Sequence, residues 1–156
     1  SVWLESKGVT HLVSMNKGGT TEVGPVKVTM TDARHSSGIL DNGKMLDGGE
    51  PAGFVIHFPD GRSAYFAGDT DVFAGMDLIR QLYSPQLALL PIGGLYTMGP
   101  REAALACRLL RPKKVIPMHY GTFPPLAGRP EELAELIRDL EGVEVWPLQI
   151  GQPVEW

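Results

Sequence analysis

Cysteine is almost absent from this 156-residue chain. Cys107 stands alone, so no internal disulfide can form and no zinc site can be built from paired thiolates. A single cysteine fits a reducing compartment, and the cytoplasm is the expected location. Charge of either sign is also scarce in excess: 14 basic against 18 acidic residues leave a net charge of −4. No basic stripe exists to neutralise a phosphate backbone, so nucleic acid is not an expected partner. No apolar run approaches the roughly 20 residues needed to span a bilayer, so no membrane partner is expected, and no signal-peptide pattern opens the chain. Repeats and linkers are missing too, which leaves residues 1–156 as one domain. What the chain does have is glycine (19) and proline (13), with 43% hydrophobic and 21% charged residues. That is a globular composition with many turns and short elements.

The punctuation divides the chain into elements. Residues 10–15 read as a short strand ended by Gly18-Gly19. Residues 20–34 read as a hairpin turning at Gly24-Pro25, with Val26, Val28 and Met30 alternating against Lys27, Thr29 and Thr31. The glycine-rich stretch 36–50 reads as a loop. Phe54, Ile56 and Phe58 alternate, Pro59-Asp60-Gly61-Arg62 turns, and 63–67 returns as the paired strand. Met76, Ile79 and Tyr83 have helical spacing. Residues 86–92 form a continuous apolar run, the mark of a strand buried on both faces. Gly99-Pro100 opens a helix that Arg111-Pro112 closes, and a second runs from Pro130 with Leu133, Leu136, Ile137 and Leu140 as its buried stripe. Strands at 113–118 and 143–146 flank it. Helices packed on a sheet, an α/β architecture, follow from this order.

Three positions share one pattern, a strand running into a metal-capable side chain before a small or polar loop. They are His35 before Ser36-Ser37-Gly38, Asp69 before Thr70, and His119 before Tyr120-Gly121. Strand ends on one sheet edge converge on a cleft, and imidazole with carboxylate suits zinc, iron, manganese or nickel. Each also has an ordinary structural reading. Asp69-Thr70 can be a helix N-cap, and His35 and His119 can be hydrogen-bonded strand ends. His11 and His57 read as structural, with His57 facing away from the apolar side of its strand, and Cys107 reads as a small core residue.

Four segments in this order resemble a known family: Asp-Ala-Arg-His-Ser-Ser (32–37), Gly-Asp-Thr (68–70), Leu-Pro-Ile-Gly-Gly with Tyr-Thr-Met-Gly-Pro (90–100), and Pro-Met-His-Tyr-Gly-Thr-Phe-Pro (117–124). They resemble the second half of a metallo-β-lactamase-superfamily protein, within the metal-dependent hydrolases similar to ascorbate-6-phosphate lactonases. The resemblance runs from about Gly8 to Gly151. It implies part of a four-layer αββα sandwich lacking its N-terminal half, because the family's His-x-His-x-Asp-His motif has no counterpart here. It implies two divalent ions, zinc first, with His35 on one, His119 on the other and Asp69 bridging both. Asp69 and His119 are then the catalytic pair. Hydroxide generated there would attack an ester, lactone, amide or phosphoester of a small-molecule substrate. Tyr96, Thr97, Tyr120, Thr122 and Phe123 are candidates for the pocket wall. The alternative is a truncated, non-catalytic assembly or binding module. Either way an apolar edge or face is expected, covered by a homo-oligomer partner or by a missing N-terminal segment.

Overall fold

Strand pairing follows the turn signals. A computed structural model describes residues 2–156. After a short helix α1 (Val2–Ser6), β1 (Thr20–Val23) turns through Gly24-Pro25 into β2 (Val26–Asp32). Gly24 has φ +57, which costs glycine little. A separate hairpin follows, β3 (Ile39–Asp41) with β4 (Lys44–Leu46). Next come β5 (Ala52–His57), β6 (Ser63–Phe66), α2 (Gly75–Tyr83), β7 (Leu87–Pro91), α3 (Pro100–Leu110), β8 (Lys114–Met118), α4 (Pro130–Leu136) and β9 (Glu144–Val145). The main sheet has the order β1-β2-β5-β6-β7-β8-β9. Pairing is antiparallel from β1 to β6 and parallel from β6 to β9.

Register decides which side of each strand is dry. Val55, Tyr65, Ala88, Leu90 and Val115 share one face, and Met76, Ile79, Ala103, Cys107, Leu110 and Leu133 of the helices pack into the same buried cluster. Burying each large apolar side chain there stabilises the fold by roughly 1.5–3 kcal/mol. Burial pushes the Cys107 thiol up to about 12, so it stays an unreactive core group. The opposite face carries Val28, Met30, Phe54, Ile56, Phe66, Leu89 and Ile116, none of them buried. Helices and sheet thus make two layers with an apolar sheet face left open. The C-terminal Trp156 folds back to meet the Phe58 ring at 5.6 Å, with the Arg62 guanidinium 4.6 Å above its indole.

Four expectations are corrected. Residues 10–15 form no strand: the segment is extended but has no ladder partner among the described residues, and His11, Leu12, Val13 and Met15 line a groove with Val28 and Phe54. The stretch 36–50 is not all loop, because Asn42 (φ 49) and Gly43 (φ 74) make the positive-φ two-residue turn that closes β3 on β4. In β5 the side packed by helices holds Val55 and His57, whereas Phe54 and Ile56 lie on the open face. His57 is accommodated on that side, half-buried, because Thr29 bonds its Nε2 at 2.9 Å and the Tyr83 ring of α2 lies edge-on at 5.7 Å. Finally, α4 ends at Leu136 rather than 140, its last turn tightening into Arg138-to-Glu135 and Leu140-to-Ile137 bonds. Three-residue spacing stacks Ile137 and Leu140 on the core and turns Leu136 outward, 36% exposed.

Two measurements check these points. Leu133→Ala is expected to cost about 2–5 kcal/mol in urea unfolding and Leu136→Ala under about 1 kcal/mol, since only the first leaves a cavity. Equal losses would contradict the shortened helix. The second concerns His57, whose pKa lies below the ordinary 6.5 because of partial burial and then the Lys27 charge. The fold therefore favours neutral imidazole: this contribution is whole above the unfolded value and is lost as pH falls below it toward the folded one. The urea midpoint should drop between pH 7.5 and 5 more steeply in the parent than in His57→Gln.

Candidate metal centre

The three expected ligands leave the sheet at one edge. β2 and β6 are both antiparallel to β5 and so run the same way, and β7 and β8 are parallel to β6. The exits after β2, β6, β7 and β8 therefore lie at the same end of the sheet, with His35, Asp69, the Gly93-Gly94 turn and His119 on them. After β6, Gly68 adopts φ +66 and passes so close to β5 that a Cβ there would lie 2.9 Å from the Ala52 carbonyl oxygen. The N-cap reading of Asp69-Thr70 falls away, since α2 begins at Gly75 with Ala74 in the capping position.

His119 and Asp69 are the two candidates that come together. The Nε2 of His119 lies 3.6 Å from Asp69 Oδ2, too long for a hydrogen bond. Two atoms held by one tetrahedral zinc at about 2.0–2.1 Å each would be about 3.4 Å apart, close to this spacing. The Nδ1 of His119 is buried and has no hydrogen-bond partner among the described residues. His119 also takes φ +54, a left-handed conformation that a non-glycine residue adopts at a cost. Its ring is thus held in a strained backbone with its hydrogen-bonding capacity unspent.

His35 stands apart from that pair. Its Nδ1 faces the Ser36 carbonyl at 2.8 Å and its Nε2 the Tyr96 carbonyl at 3.0 Å. A carbonyl only accepts, so Nε2 can ligate only after leaving Tyr96. Among the described residues no three His, Cys, Asp or Glu side chains gather as a metal-holding group. His35 lines a cleft of about 430 Å³ with Lys17, Asp32, Arg34 and Glu50. Lys17 there bonds Asp32 at 2.6 Å, and this contact holds the Asp32 carboxyl below its ordinary value.

The other candidates divide. His119, Tyr120 and Thr122 line a cleft of about 550 Å³ with Met118, Leu148 and Ile150. Tyr120, Thr122 and Phe123 line an adjoining cavity of about 630 Å³ with Leu126 and Arg129. Tyr96 enters through its backbone carbonyl, its side chain being exposed, and the Thr97 hydroxyl turns to the Met98 carbonyl at 3.4 Å.

Sequence reasoning missed the residues that hold these loops together. Gly93 passes so near β8 that a Cβ would sit 2.1 Å from the His119 carbonyl oxygen, and one at Gly128 would sit 1.7 Å from that of Ile92. The available signal was the Gly-Gly pair ending the apolar run at 86–92, which marks a close backbone approach. Thr70 was hidden by its resemblance to a cap.

Comparison with known proteins places the chain among its relatives. The family model for a beta-lactamase superfamily domain matches residues 2–120. A protein named a UPF0173 metal-dependent hydrolase, from Solibacter usitatus, is 66% identical over 99% of this chain and 66% of its own length. One so named from Koribacter versatilis is 49% identical over 93% of this chain and 62% of its own length. The solved structure of Igni18, described as a novel metallo hydrolase from Ignicoccus hospitalis, superposes with a TM-score of 0.84 at 40% identity, covering 98% of this chain and 64% of that one. The chain therefore spans just under two thirds of the length of these relatives.

Proposed function

The chain belongs to the beta-lactamase superfamily, and from the pair formed by Asp69 and His119 we propose that it carries part of the metal centre of a metal-dependent hydrolase. The observation that carries this reading is His119, whose backbone is left-handed, with one ring nitrogen 3.6 Å from a carboxylate and the other buried without a partner among the described residues. The names of its relatives support it.

The donor set fits a divalent ion in kind. Imidazole nitrogen and carboxylate oxygen suit zinc first, with manganese, iron or nickel as alternatives. Asp69 and His119 would hold one ion, and His35, released from the Tyr96 carbonyl, would hold a second with Asp69 between them. Three donors shared by two ions are too few, since a catalytic zinc normally takes three protein ligands of its own. We assign the remaining donors to the additional length of the relatives, packed against the open sheet face. This makes residues 1–156 a single, C-terminal portion of the sandwich.

A bound divalent ion supplies Lewis acidity and a more acidic water. The chain's own part is to hold and to enclose. Asp69 is exposed enough to take a ligand, Gly68 holds its loop against β5, and Tyr120, Thr122 and Phe123 wall the cavities beside His119. These features suit hydrolysis of a small ester, lactone, amide or phosphoester.

Metal analysis of the purified chain after zinc loading, beside a lactone and phosphodiester screen, tests the proposal. Weak zinc binding through His119, lost in His119→Ala, with little turnover by residues 1–156 alone, is the expected result; no binding under any loading condition would end the proposal. The open apolar face favours a second reading, a non-catalytic assembly module. A chain that self-associates in light scattering and binds no metal would support that one instead.

A further inference from the structure

Thr70 is completely enclosed, with 0% of its surface exposed. Its hydroxyl accepts the Arg34 N–H at 2.8 Å and donates to the Asp71 carbonyl at 2.7 Å. The Asp71 N–H in turn donates to the Arg34 carbonyl at 2.9 Å, so both backbone groups of Arg34 end on the 70–71 segment. The Thr70 carbonyl accepts the Met98 N–H at 3.2 Å, and the Gly94 N–H donates to the Met98 carbonyl at 3.0 Å. One residue thus ties three loops. One carries His35, the next carries Asp69, and the third carries the Tyr96 carbonyl that faces His35.

Topology explains why the two exits are joined outside the sheet. β5 lies between β2 and β6, so ladder bonds cannot join the two exits directly. Beyond the start of β5 at Ala52, which pairs with Asp32, two bonds close the gap between these loops. The Asp71 N–H reaches the Arg34 carbonyl. The buried Thr70 hydroxyl accepts the Arg34 N–H while its own proton is spent on the Asp71 carbonyl, which fixes the hydroxyl's orientation. We infer that Thr70 is a positioning residue of the metal centre, setting where His35 stands relative to Asp69 by pinning the loops that carry them. The inference rests on the metal-centre reading given above.

Thr70→Val keeps the shape and removes both hydroxyl bonds, whereas Thr70→Ser keeps the hydroxyl. Thr29→Val removes another buried hydroxyl, one bonded to Thr20 and His57 away from the site. Zinc affinity of the full chain would be read by chelator competition, and the His35 ring by nitrogen-edited NMR. Thr70→Val is expected to weaken zinc binding about tenfold or more, as lost supporting bonds do at metal sites, and to abolish the zinc-induced shift of His35. Thr70→Ser and Thr29→Val should stay close to the parent whatever their melting temperatures. Parent-like zinc binding by Thr70→Val, with an intact His35 response, would overturn the inference and leave the metal centre standing. A parent chain that binds no zinc would instead end the metal-centre reading. Amide exchange in the metal-free chain then decides the loop pinning: Arg34 and Asp71 should be protected in the parent and exchange at least about tenfold faster in Thr70→Val, as loss of local structure implies. Unprotected Arg34 and Asp71 in the parent, a measurement that needs no variant to fold, would also overturn it.

Discussion

Asp69→Ala is expected to lower zinc affinity by at least about a hundredfold, more than the 10–100-fold typical for losing a supporting contact, because it removes a direct ligand. The fold should barely notice. Asp69 is about half exposed, and among the described residues its carboxylate accepts no hydrogen bond. A melting temperature within a few degrees of the parent is therefore expected, since surface changes usually stay within about 0.5 kcal/mol. The combination is diagnostic: a capping or core aspartate would lose stability, whereas a ligand loses only metal. Unchanged zinc binding by a folded Asp69→Ala would remove Asp69 from the site.

Gly93→Ala is expected to do the opposite and break the fold around the site. The added methyl would sit 2.1 Å from the His119 carbonyl oxygen and 3.2 Å from the Leu126 Cβ. Backbone cannot swing aside as a long side chain can, so the β7 and β8 exits would have to separate by more than an ångström. Overpacking of this kind costs about 3 kcal/mol or more, which lowers the melting temperature of a chain this size by about 10 °C. The neighbouring Gly94→Ala is the control. Its Cβ would meet nothing within 4 Å, and the strain of alanine at φ +75 should cost only about 1–2 kcal/mol. Equal losses for the two variants would mean that conformation, not the close approach, explains the glycine pair.

Local signals were legible where one segment carries its own reason. The turns at Gly24-Pro25 and 59–62, the start of α3 at Pro100 and the buried run of β7 all came from residues that determine their own backbone. Asn42-Gly43 belonged to that class and was overlooked only because polar, glycine-rich neighbours make 36–50 look like loop. The strand assigned to 10–15 failed for another reason. Its apolar pattern is real, but a strand exists only with a partner, and among the described residues no strand pairs with it.

The sequence by itself determined the α/β order of elements, the three metal-capable residues at strand ends and the family resemblance, because each resides in a contiguous motif. Only the tertiary structure decided which face of β5 is dry, that Asp69 and His119 pair while His35 turns to Tyr96, and that Thr70 and Gly93 hold the loops. The physical reason is that these properties belong to pairs of distant segments. Whether a side of β5 is buried depends on the helices that land on it, and whether a threonine is a cap or a staple depends on which loop crosses its hydroxyl.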